Sequence, residues 1–91
     1  MGYKGLPSGR PPTKTQVEVL SRMASGMVLR SSDAGERESF WLIGLYGHAL
    51  WINAKTFLGL KDRGLIAVER EDYPITRWML TARGREALKK G

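Results

Sequence analysis

At Gly64 the hydrophobic period of this chain changes. Upstream, Ala54, Phe57 and Leu60 recur at helical spacing. Asn53 precedes them as an N-cap, and Gly64 follows Lys61-Asp-Arg63 as the C′ residue that closes the helix. Downstream, Ile66, Val68 and Arg70 alternate with Ala67 and Glu69, so the chain continues as a strand with those two sets on opposite faces. Glu71 to Ile75 is turn chemistry, since Pro74 has no N–H to give to a ladder. Thr76 to Leu80 then returns as the partner strand. Thr81 caps a last helix over 82–90, with Gly84, Ala87 and Leu88 on one face. Lys89 and Lys90 fall in its last turn, where the helix dipole favours cations.

The first half obeys the same rules. Thr13 with Gln16, and Thr15 with Glu18, both have capping-box spacing. Val17, Leu20, Ala24 and Met27 follow at helical spacing, and Gly26 supplies a terminator. The spacing predicts a helix over 14–25. Met27–Arg30 and Ser39–Ile43 flank the polar, turn-rich Ser31–Glu38, which predicts an antiparallel hairpin. Gly44 to His48 reads as a turn and Ala49–Ile52 as a short extra strand. In the hairpin, Phe40 and Leu42 face opposite to Trp41 and Ile43, so both faces are apolar and both need cover. Residues 1–12 hold three Gly and three Pro with no hydrophobic period. They read as a flexible arm ahead of a single domain over 13–91.

Composition removes several kinds of chemistry. The 91 residues suffice for one modest core. Without cysteine there are no disulfides, thiolate metal sites or cysteine nucleophiles, which suits a reducing compartment. His48 is the only histidine, and no metal-ligand spacing surrounds it. Ser31-Ser32-Asp33 has no paired base, and no phosphate-binding or dinucleotide fingerprint occurs. The expectation is no catalytic residue, no metal and no cofactor. No apolar run nears the roughly 18 residues of a membrane span, and the N-terminus has no signal-like apolar segment. A cytoplasmic location is expected.

The formal net charge is +6. Residues 1–14 contribute half of it through Lys4, Arg10 and Lys14, leaving twelve bases and nine acids in the remainder. The body of the chain is therefore mildly basic. That balance is compatible with a polyanionic partner without demanding one.

Two stretches carry a resemblance. Thr56-Phe-Leu-Gly-Leu-Lys-Asp-Arg-Gly-Leu-Ile66 is followed by a two-stranded segment and then by Leu80-Thr-Ala-Arg-Gly-Arg-Glu-Ala-Leu88. Together they resemble the C-terminal half of winged helix-turn-helix proteins, the MarR-type regulators and their small bacterial and phage relatives. The resemblance implies an α+β winged helix, ordered helix–β-hairpin–helix–β-hairpin (wing)–helix, with residues 54–63 as recognition helix. Residues 38–52 depart from the family pattern, which has a helix where this chain reads as strand.

The resemblance implies binding of double-stranded DNA by a small transcriptional regulator or accessory factor. Lys55, Thr56, Gly59 and Arg63 would meet the DNA, with Lys61 and Arg77 on phosphates. Asp62 opposes that field, and the expected wing tip carries Glu69, Glu71 and Asp72 against Arg70 alone. The alternative is a protein-interaction module, with a second copy or another protein covering the Phe40–Trp51 region. Trp41, Trp51, Trp78, Phe40 and Phe57 read mainly as core, with Trp41 and Tyr46 as exceptions. The competing reading of these rings is a stacking platform for bases.

Overall fold

A computed structural model describes residues 11–90. The elements are α1 (Lys14–Ala24), β1 (Val28–Ser32), β2 (Ser39–Ile43), β3 (Ala49–Ile52), α2 (Ala54–Asp62), β4 (Ile66–Asp72), β5 (Ile75–Leu80) and α3 (Ala82–Lys90). All five strands join one antiparallel sheet in the order β3-β2-β1-β5-β4. The expected arm over 1–12, with Lys4 and Arg10, lies outside the described residues except for Pro11 and Pro12.

This overturns the winged-helix expectation. A winged helix sets a helix immediately before the recognition helix and lets a two-stranded wing project beside it. In this protein the chain before α2 is the β2–β3 hairpin, registered Phe40 to Ile52 and Trp41 to Trp51. β1 pairs with β2 on one side and with β5 on the other, so the expected wing is the outer part of a continuous sheet. The physical cause is β-propensity. Ser39–Ile43 and Ala49–Ile52 are dense in aromatic and β-branched residues, which favour a pleated surface over a helix. The architecture is α+β, three helices and a five-stranded sheet.

The helices share one side of that sheet. Leu29, Phe40, Leu42, Ile66 and Leu80 point inward and meet Val19 and Leu20 of α1, Phe57 and Leu60 of α2, and Leu65. Phe57 is the centre: its ring stacks on Phe40 at 4.1 Å and takes the edge of Trp78 at 4.9 Å. Met23, Met27, Ala87 and Leu88 complete the cluster.

Caps fix the helix ends. Of the two possible capping boxes the chain uses Thr13–Gln16, whose reciprocal bonds measure 3.0 and 3.1 Å. Asn53 accepts from the Thr56 N–H at 2.8 Å. Gly64 ends α2 with φ +70°, and its carbonyl accepts from the Thr81 hydroxyl at 2.6 Å. The same hydroxyl accepts from the Gly84 N–H at 3.0 Å, so one side chain ties the end of α2 to the start of α3.

One strand reading needs correction. Alternation places Arg70 on the face of Ile66 and Val68, but an irregularity between Val68 and Arg70 breaks the register of β4 against β5. One extra residue reverses the side chains beyond it. Arg70 therefore stands opposite Arg77, on the face away from the helices.

Candidate nucleic-acid interface

Charge divides between the two layers. Over 14–24, 54–63 and 82–89 there are eight Lys or Arg and three acids. Over 28–52 and 66–80, the strands and their loops, there are four bases and six acids. The helical side is therefore cationic and the sheet side slightly anionic. Several acids of the sheet side gather at one end, because the β1–β2 loop and the β4–β5 turn meet there through a 2.9 Å bond from the Asp33 N–H to the Pro74 carbonyl.

The six residues expected to touch DNA do not form one surface. Lys55 and Lys61 are exposed on the outer side of α2, with Leu58 (46% exposed) and Asp62 beside them. Thr56 and Arg63 are half-buried. Gly59 faces α1, where a Cβ would run into the Gln16 amide, so its small size serves the α1–α2 contact. Arg77 lies on the other side of the sheet altogether, paired with Glu69 at 3.2 Å.

Periodicity alone did not single out the rest of the cationic surface. The Arg83 guanidinium donates to the Arg63 carbonyl at 3.3 Å, bringing the first turn of α3 against the last turn of α2. Arg85 is exposed one residue beyond Gly84. Both arginines are plain in Ala82-Arg-Gly-Arg85, but only the fold shows that Arg83 adjoins the end of α2. Lys89 shares an exposed 3.9 Å pair with Glu86, and Arg22 a 3.0 Å pair with Glu18. Exposed pairs of this kind contribute about 0–1 kcal/mol and yield readily to a phosphate.

The opposite face of the sheet has no helix over it. Its central row, read across β4, β5, β1, β2 and β3, is Arg70, Arg77, Arg30, Trp41 and Trp51. Trp41 and Trp51 lie 5.8 Å apart with their planes tilted by 57°. Trp51 is 74% exposed, which contradicts its expected place in the core; Trp78 is the tryptophan that packs there. Tyr46, one of the expected exceptions, is exposed at the β2–β3 turn next to Leu45. Beside that turn lies an open groove of about 530 Å³, lined by Met27, Leu45, Tyr46, His48 and Leu50 among others.

No protein-family model matches the chain, and no curated protein or solved structure matches it either. Among the described residues no helix is long and apolar enough to cross a membrane.

Proposed function

We propose that this is a cytoplasmic DNA-binding protein, a small regulator or accessory factor, that meets duplex DNA with its helical layer. The observation that carries the reading is the partition of charge: eight bases and three acids in the helices, against four and six in the strands and loops. Lys55 and Lys61 on α2, continued by Arg63, Arg83 and Arg85 at the α2–α3 junction, supply the phosphate contacts. An exposed α-helix has the width that a major groove admits. Leu58, standing between Lys55 and Lys61, offers the apolar contact that a thymine methyl takes. Thr56, Gly59 and Arg77 drop out of the proposed contacts: Thr56 is half-buried with a short side chain, Gly59 faces α1, and Arg77 lies on the wrong face.

The reading requires binding that weakens with salt, because each neutralised phosphate releases counterions. Fluorescence anisotropy with a mixed-sequence duplex, at about 50 and 200 mM salt, gives the slope of log K against log salt. The expected slope corresponds to several phosphate contacts, and the double variant K55Q/K61Q lowers it by about 2, one for each lysine. The alternative, a protein-interaction module, predicts no salt-dependent binding at all. An unchanged slope in the double variant removes α2 from the interface.

A further inference from the structure

A second surface of different chemistry lies on the far side of the molecule. Its centre is Arg30, half-buried in the middle strand, with Trp41 directly across on β2 and Arg77 directly across on β5. Among the described residues Arg30 has no ion pair. Beyond Trp41 stands Trp51, its ring largely open to water at the edge of the sheet. Exposed indole is costly, at about 25 cal/mol for each Å² of apolar surface left in water. The face thus presents the open ring of Trp51 beside the half-buried Trp41 at one end of a row. At the other end stand the guanidinium groups of Arg77 and Arg70, in exposed pairs with Glu69 and Asp72 respectively.

We infer that this open face binds single-stranded nucleic acid, with unpaired bases stacking on Trp51 and Trp41 and the backbone phosphates meeting Arg30 and Arg77. Sites that hold single strands combine these two features: aromatic side chains that accept any base, and cations that follow the backbone. Charge complementarity selects the occupant, since the row carries cations next to the rings and no acid among the described residues pairs with Arg30. The Glu69 partner of Arg77 is itself about half-exposed, so a phosphate can displace it.

Shape argues against the other occupants. Five strands at 4.7–4.9 Å spacing span about 19 Å, whereas a major groove about 12 Å wide admits a helix or a two-stranded ribbon. A five-stranded face is therefore too wide to enter the major groove, unlike the exposed helix of the surface proposed above. A second copy docked face to face about a two-fold axis along β1 would set Arg30 against Arg30 of its partner. The acids gathered at the β1–β2 loop end repel phosphates there, so the strand's path runs across the sheet along the row.

Tryptophan fluorescence tests this directly on the full chain. Oligo-dT and oligo-rU of about ten nucleotides are each titrated in and compared with a duplex of equal length. The expected result is saturable quenching by the oligonucleotides, weakened by salt and reduced about tenfold by W51A, a loss within the range of stacking per base. R30Q weakens binding to the same oligonucleotides. Quenching by either oligonucleotide supports the site, and the tighter of the two tells whether the strand is DNA or RNA. K55Q/K61Q leaves this binding unchanged while it weakens duplex binding, so the two surfaces fail or succeed separately. Unaltered affinity in W51A, quenching by the duplex alone, or a dimer in light scattering that W51A dissolves would each overturn the inference.

Discussion

Single residues in this protein act through contacts that the chain order hides. Ser31 is buried at 3% exposure, and its hydroxyl accepts the Trp78 indole N–H at 2.9 Å across 47 residues of sequence. Nothing in Arg30-Ser-Ser-Asp33 marks that serine apart from its neighbour Ser32; the β1–β5 register alone brings it to Trp78. Ser31→Ala is expected to cost about 1–3 kcal/mol, because a donor in the core is left unpaired. Urea unfolding followed by tryptophan emission measures it. Gly84 is the converse case, legible in the sequence as part of the inner face of α3. A Cβ at 84 would strike the Leu65 carbonyl, a backbone atom that cannot swing away. Gly84→Ala should therefore destabilise by about 1–3 kcal/mol in the same assay, although alanine favours a helix by about 1 kcal/mol. The same Cβ at Gly59 would meet the Gln16 side-chain amide, held by its capping box but not a backbone atom, so Gly84 is the more demanding position.

At the scale of elements, α2 is held by its caps and its inner stripe, while its outer stripe is free to bind. Asn53→Ala removes the bond to the Thr56 N–H and is expected to cost about 1 kcal/mol in thermal or urea unfolding. K55Q/K61Q, by contrast, alters only exposed side chains and should leave stability within about 0.5 kcal/mol. Any loss of DNA binding in that variant is then a loss of contact and not of fold. The helices and strands were readable because each carries its own local signal: the Thr13 and Asn53 caps, the Gly64 stop, the alternation of Phe40 and Leu42 against Trp41 and Ile43. The two hairpin pairings, β1 with β2 and β4 with β5, were readable from neighbouring segments, but the β1–β5 pairing was not, because it joins distant ones. The link from β1 to β5 turned an expected wing into part of a sheet. Likewise the bulge in β4 carries no residue signature, no Gly or Pro, so Arg70 changed faces without warning.

For the whole molecule, the net charge of +6 is less informative than where it sits. Read along the chain it is a mild excess; sorted by layer it becomes a cationic helical side and a slightly anionic sheet side. That sorting needs the fold, which is why Lys55, Lys61 and Arg77 could be chosen from sequence while Arg83, Arg85 and Arg30 could not. On the two readings proposed above, the molecule carries two nucleic-acid surfaces of different kinds, back to back across one sheet. The helical side suits the groove and phosphates of a duplex, and the sheet side suits unpaired bases. The central claim is that duplex DNA lies against the helices. Backbone amide shifts of the isotope-labelled protein, followed through a titration with duplex DNA, locate the contact directly. The prediction is that the moving amides cluster over 54–63 and at the start of α3, around Arg83 to Arg85, while those of β2 and β3 stay in place. Shifts confined to the Arg30–Trp51 face, or no shifts at low salt, would contradict it.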